Sequence, residues 1–303
     1  MDEILDVPTV AGELPCGWAG RVRSEERVPS GPGIVALLAG PGAEVSKAAL
    51  DRLPDLRIVV VTSMGWDHVD VEAARARGVA VAGVEPYCVD EVAEHTIALI
   101  LDLLRGVTWL DQGVRAGRWD GVRLGRTLAG TALGLVGLGR IGSGVAWRAG
   151  ALGMVVSAFD PLVERAEVAG RDRGVRLVLS LEELVSSSDV VSLHVALGPG
   201  TKGLVDAQLL SRFRPGSYLV NVSRGEVVTE AALGAALREG RLAGAALDVL
   251  AHEPPGRDDP VLGFPRTVIT PHSAWYSQGA VTRVSHSAGR VLAGELARAG
   301  LLE

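Results

Sequence analysis

Three residues of types suited to acid–base and anion chemistry stand just past apolar runs: Arg224, Glu253 and His272. Arg224 follows the run 218–222 within Asn221-Val222-Ser223-Arg224-Gly225, Glu253 lies beyond 245–249, and His272 lies just past 267–269. If these runs are parallel strands, all three residues project from C-terminal strand ends, where open α/β sheets bind ligands. A planar guanidinium can pair a carboxylate bidentately, and a carboxylate beside a histidine favours imidazolium and fixes its tautomer. Together they suit hydride transfer to a keto acid, with Arg224 polarising the substrate and His272 exchanging the proton. Taken singly, each reads equally well as a solvated surface charge. His252 is a competing acid, although it precedes Glu253-Pro254 in a polar loop. His68, His95, His194 and His286 carry no comparable partner signal.

The elements that must position this trio begin with a glycine turn. The buried run Leu133-Gly134-Leu135-Val136 leads straight into Gly137-Leu138-Gly139-Arg140-Ile141-Gly142, and an amphipathic segment follows. Gly137 permits a tight turn, Gly139 lets a pyrophosphate approach the amides at a helix N-terminus, and Gly142 allows close helix–strand packing. The whole turn, Arg140 and Ile141 included, is the expected dinucleotide contact. Asp160 ends the next apolar run, where a carboxylate accepts from ribose hydroxyls and repels a 2′-phosphate, so NAD is favoured over NADP. The competing reading is a plain glycine-rich turn in a chain with 39 glycines.

Around this turn, strand and helix patterns alternate from 131 to 269, and a closing helix is expected over 279–299. Upstream, strands are expected at 34–38, 56–62 and 79–84, with a helix between the first two. A long helix begins at Val92, behind Asp90 and Glu91, which suit a helix N-terminus. Residues 1–30 carry no clear strand, and 112–126 is a polar stretch. At 303 residues, 48% hydrophobic and only 4% aromatic, the chain suits two α/β domains with aliphatic cores. A net charge of -6 gives no footprint for a phosphate backbone, so nucleic acid is not an expected partner. Cys16 and Cys88 lack metal-ligand spacing, which suits a reducing compartment and no structural metal. No run is long and apolar enough to span a membrane, and a soluble, cytoplasmic protein is expected.

Taken in order, five runs resemble the D-isomer-specific 2-hydroxyacid dehydrogenase family: Gly134 to Gly142, Asn221 to Gly225, Ala246-Leu247-Asp248-Val249, Glu253-Pro254 and Thr270-Pro271-His272-Ser273-Ala274-Trp275. The resemblance covers roughly Gly33 to the C-terminus. It implies Arg224 as the substrate-binding catalytic arginine, His272 as acid/base and Glu253 as its partner. It further implies Asp248 as a contact to the nicotinamide amide, Thr96 near the cofactor, and Met64 and Gly65 in the loop whose amides receive the substrate carboxylate. The implied fold is a doubly wound, parallel Rossmann-type NAD domain, 97–272, with a smaller, discontinuous flavodoxin-like α/β substrate domain, 1–96 and 273–303. A cleft between the domains and a homodimer built largely through the cofactor domains complete the picture.

The run Thr270 to Ser277 is closer to the branch containing the C-terminal-binding-protein corepressors than to the glycerate and lactate enzymes. Trp275 then either lines the substrate pocket or packs at the start of the last helix. Two departures stand out. Ser63 occupies a position where the family usually has glycine, and the opening thirty residues lack the family's first strand, which implies an abbreviated substrate domain. Besides a dehydrogenase of a small 2-oxo or 2-hydroxy acid, two readings stay open: an NAD(H)-sensing protein-binding scaffold, and a dehydrogenase acting on an unusual acid such as a phosphonate analogue.

Overall fold

The computed structural model describes residues 5–15, 17–18, 21–22, 28–119, 125–163 and 174–302. Cys16 and part of the polar stretch 112–126 lie outside them. The chain divides into two compact units, 1–88 with 276–303, and 89–275. The divisions precede two long helices, α4 (Val89–Arg105) and α10 (Gln278–Arg298). A boundary at 96/97 would cut α4 in two, and its continuous hydrogen-bonded ladder keeps it in one unit.

In the first unit, β1 (Ala36–Ala39), β2 (Ile58–Val61) and β3 (Ala80–Gly83) form a three-stranded parallel sheet. The all-aliphatic β2 is buried throughout, and its alternation divides the core. Val59 and Val61 join Leu50, Leu53, Leu56 and Val79 on one side, where α2 (Lys47–Asp51) and α3 (Val71–Ala76) connect the strands. Ile58 and Val60 join Leu14, Leu292 and Leu296 of the chain's two ends. Residues near the start form α1 (Val7–Gly12), a short helix begun by Pro8, with no strand among the described part of the first thirty residues. α1 lies on α10 at Gly289, where an added Cβ would sit 2.6 Å from that of Glu13. Around it the His286 ring nitrogen meets Glu13 Oε1 at 2.6 Å, and the Asp6 amide donates to Ser285 Oγ at 2.9 Å.

The second unit holds β4 (Ala132–Val136), β5 (Val155–Phe159), β6 (Arg176–Leu177), β7 (Val190–Leu193), β8 (Ser217–Asn221), β9 (Leu242–Leu247) and β10 (Thr267–Ile269). Their order is β10-β9-β8-β7-β4-β5-β6, and every pairing is parallel. The winding reverses between β4 and β7, so the end of β4 is a topological switch point. β7 and β8 are buried at every position, as strands covered on both faces must be. One face packs Leu184, Leu193, Phe213, Leu219 and Leu237. The other packs Ile100, Leu104, Leu133, Leu135 and Val145, contributed in part by α4 and α6 (Arg140–Ala151). α7 (Leu181–Ser187), α8 (Ala207–Leu210) and α9 (Glu230–Arg238) lie in the connections β6–β7, β7–β8 and β8–β9. α5 (Val107–Arg115) occupies part of the stretch read as merely polar.

His194 follows β7 and is partly buried, with its ring Nδ1 out of contact with solvent. Its Nε2 meets Ser192 Oγ at 2.9 Å, and its Nδ1 has no hydrogen-bond partner among the described residues. Burial lowers its pKa from 6.5 to about 4, so the folded chain holds a neutral imidazole. The unfolded chain takes up a proton near pH 6.5 and the folded chain does so only near 4, so stability is full above 6.5 and declines between these values. A loss of about 3 kcal/mol across that window is expected from urea unfolding, with the slope removed in His194→Asn.

Candidate active site

The glycine turn sits at the switch point, at the end of β4. Gly137 has φ +95°, and an added Cβ would lie 2.5 Å from the His194 carbonyl oxygen of the neighbouring strand end. Any L side chain there meets both left-handed strain and a backbone collision. At Gly142 a Cβ would strike the carbonyl oxygen of Gly137, so helix and turn close up only with glycine. Gly139, the N-cap of α6, has open space around its Cβ position. The turn thus presents unobstructed backbone at the positive end of a twelve-residue helix, a cradle that suits a pyrophosphate. Asp160 extends beside it from the end of β5: Oδ2 accepts from the Leu138 amide at 2.8 Å and Oδ1 from the Leu162 amide at 2.9 Å. These residues fit a dinucleotide.

Further along the same sheet edge, β8, β9 and β10 present the trio. Asn221 ends β8 and ties the next turn to itself: its Nδ2 donates to the Arg224 carbonyl at 2.8 Å, and its Oδ1 accepts from the Ser223 amide and hydroxyl. Gly225 follows, and a Cβ there would run into the backbone of Leu250 and Ala251. That close approach brings the Arg224 turn against the loop that carries Glu253. The loop is held by the Leu250 amide, which donates to Glu253 Oε1 at 2.8 Å, and by the Ala251 amide, which donates to Glu230 Oε1 at 2.9 Å. His272 Nδ1 meets Glu253 Oε2 at 2.7 Å. A carboxylate only accepts, so Nδ1 carries the proton and Nε2 is the nitrogen left for chemistry.

Burial by itself would raise the Glu253 carboxyl, but the hydrogen bond from His272 and its charge pull it down, helped by the Leu250 amide and the Arg224 guanidinium. The net result lies below the usual 4.5, and Glu253 stays ionised wherever His272 needs a counter-charge. His252, the competing histidine of the sequence, is exposed.

Two further residues have local partners. Thr96 is fully buried in α4 and its hydroxyl donates to the Val92 carbonyl at 2.7 Å. Helix interiors often absorb a threonine hydroxyl this way. Asp248 is 1% exposed and its carboxylate is engaged in its own surroundings. Oδ1 accepts from Thr270 Oγ1 at 2.5 Å and the Ser273 amide at 3.0 Å, and Oδ2 accepts from the Ala274 amide at 3.0 Å. It braces the segment around His272. In the first unit, the Ser63 hydroxyl donates to the Gly65 carbonyl at 2.7 Å, closing the loop that carries Met64 and Gly65. Trp275, half-buried, directly follows the braced segment. Asn221, Ser223 and Gly225 escaped the sequence reading as positioning residues, although the Asx pattern before Arg224 was a local signal for a tied turn.

Residues 97–274 match the model of the D-isomer specific 2-hydroxyacid dehydrogenase family's NAD-binding domain. The chain belongs to that family. It is 36% identical over 294 residues to D-3-phosphoglycerate dehydrogenase of Mycobacterium bovis, covering 95% of this chain but only 55% of that protein. Glycerate dehydrogenase of Methylorubrum extorquens is 36% identical over 242 residues, 77% of this chain and 73% of that one. Among solved structures, D-lactate dehydrogenase from Aquifex aeolicus complexed with NAD and lactic acid superposes with a TM-score of 0.79 at 29% identity, covering 88% of this chain and 83% of that chain. The family assigns NAD to the second unit. No described helix is long and apolar enough to cross a membrane.

Because the Glu253 carboxyl is lowered, its ionised form stabilises the fold above pH 4.5, and that contribution is lost as the pH falls through the lowered value. Glu253→Gln is expected to be less stable than the parent in urea at neutral pH. The difference should shrink as the pH is taken well below 4.5.

Proposed function

We propose that this chain is an NAD-dependent dehydrogenase that interconverts a small 2-oxo acid and its 2-hydroxy acid. The observation that carries the reading is the His272–Glu253 pair at 2.7 Å, set at the same sheet edge as Arg224 and the glycine turn. When bound, NAD supplies or receives a hydride at nicotinamide C4. Arg224 pairs the substrate carboxylate and draws electron density towards the C2 carbonyl oxygen. In the reducing direction His272 gives its Nε2 proton to that oxygen as C2 gains the hydride, and Glu253 stabilises the imidazolium beforehand. Asp160 receives the ribose hydroxyls, and Gly137, Gly139, Arg140, Ile141 and Gly142 surround the pyrophosphate. In the first unit, Met64 and Gly65 are the substrate-facing residues of their loop, and in the second Trp275 is a further one.

The names of the relatives point to three-carbon acids with and without a phosphate. The unusual serine at 63, which fastens its loop through Gly65, is the feature that sets the acid accepted apart from theirs. The corepressor-like run at Trp275 supports a dinucleotide-sensing scaffold as the other reading, one with no need for a paired His272. We further propose a cytoplasmic homodimer. Buried Cys88 suits a reducing compartment, and exposed Val107, Trp109, Val114 and Trp147 of the second unit are apolar residues that a partner copy would cover.

The purified protein is expected to oxidise NADH with at least one of a panel of 2-oxo acids: small, phosphorylated, phosphonylated and aromatic. His272→Gln should lose turnover by roughly 10²- to 10⁴-fold while binding NADH as the parent does. Undiminished turnover in that variant would remove His272 from the mechanism, and tight NADH binding with no turnover across the panel would favour the scaffold. Trp109→Arg combined with Trp147→Glu should halve the mass measured by light scattering.

A further inference from the structure

His272 has φ +50°, the left-handed region that a non-glycine residue occupies only when its surroundings fix it there. Its surroundings are Asp248. The backbone oxygen of Asp248 accepts from the His272 amide at 2.8 Å, and its carboxylate holds residues on either side of His272: Thr270 before it, Ser273 and Ala274 after it. The acid/base thus rides on a short segment that one buried carboxylate grips at both ends.

A second histidine reaches this grip. His95, on α4, places Nε2 3.1 Å from Thr270 Oγ1 and 3.6 Å from Asp248 Oδ1. The hydroxyl of Thr270 has one proton, and the carboxylate of Asp248, which can only accept, takes it at 2.5 Å. The Thr270 oxygen therefore accepts, and His95 must donate from Nε2. The chain of bonds is directional: His95 Nε2–H to Thr270 Oγ1, Thr270 O–H to Asp248 Oδ1, with the Ser273 amide donating to the same oxygen. Such a chain strengthens link by link in a site with little water, and Asp248 is 1% exposed.

We propose that His95 is a positioning residue for the acid/base: its Nε2–H locks the Thr270 hydroxyl towards Asp248 and thereby holds the 270–274 segment in the one conformation that keeps His272 against Glu253. The proposal rests on the assignment of His272 as acid/base. It also assigns α4 a second task beside core packing, since the long helix carries the outer anchor of the catalytic segment. Only a hydrogen-bond donor at the Nε2 position is required. Glutamine, whose amide nitrogen falls near that position, should serve, whereas leucine of similar bulk should not.

The test compares the full chain with His95→Gln, His95→Leu, Thr270→Val and the His95→Leu/Thr270→Val double variant, read out by amide hydrogen exchange over 270–275 and by steady-state kinetics. In His95→Leu, exchange at Ser273 and Ala274 should quicken about tenfold and kcat should drop about tenfold, with KM for NADH within about twofold of the parent. His95→Gln should restore both. The double variant should be no worse than Thr270→Val, because the two residues act through one bond. Unchanged exchange in His95→Leu, failure of His95→Gln to rescue, or additive losses in the double variant would each overturn the proposal. Should the parent turn over no 2-oxo acid, the functional assignment falls, and the exchange comparison alone decides whether His95 holds the segment.

Discussion

Burial of both faces of the seven-stranded parallel sheet is the constraint on which the rest of the structure depends. With β7 and β8 covered at every residue, a polar group on a strand face would go unsolvated, so functional chemistry can emerge only where strands end. Asp160, Asn221, Asp248 and His272 all stand at such ends. The buried polar residues among them are satisfied by the turns they organise: Asn221 fastens the Arg224 turn, and Asp248 fastens the segment around His272. The site is a set of strand ends tied together by their own side chains, and hydrophobic packing beneath keeps the ends in register.

What the sequence discloses follows from how local each signal is. The β4 run, the glycine turn and α6 are contiguous, so residue types alone define them, and the structure explains each glycine by a collision or an open approach. Arg224, Glu253 and His272 each follow an apolar run closely, so their place at strand ends was legible. The local partners of Asp248 and Thr96 were not, because a family role says nothing about where a side chain turns locally. Asp248 turns inward to three donors, and Thr96 turns onto its own helix.

His95 shows the same limit from the other side. In the sequence it is one polar residue on an otherwise conventional helix face, with no partner nearby, and its contact with Thr270 spans 175 residues. No periodicity carries that information; only the packing of α4 on the sheet does. The start of the chain is a third case. Residues 7–12 form a helix where a strand opens the related pattern, and the docking at Gly289 comes from the far end of the chain.

That last arrangement bears on the order in which the molecule is made. The second unit is one uninterrupted stretch, 89–275, and all of its sheet partners are available once that stretch has left the ribosome. The first unit is not. Ile58 and Val60 of its central strand face Leu292 and Leu296 of α10, and α1 rests on that same helix, so one side of its sheet stays bare until the closing helix has been synthesised. The chain must close across the whole second unit before this last burial, so completion of the three-stranded sheet's core waits on a long-range contact.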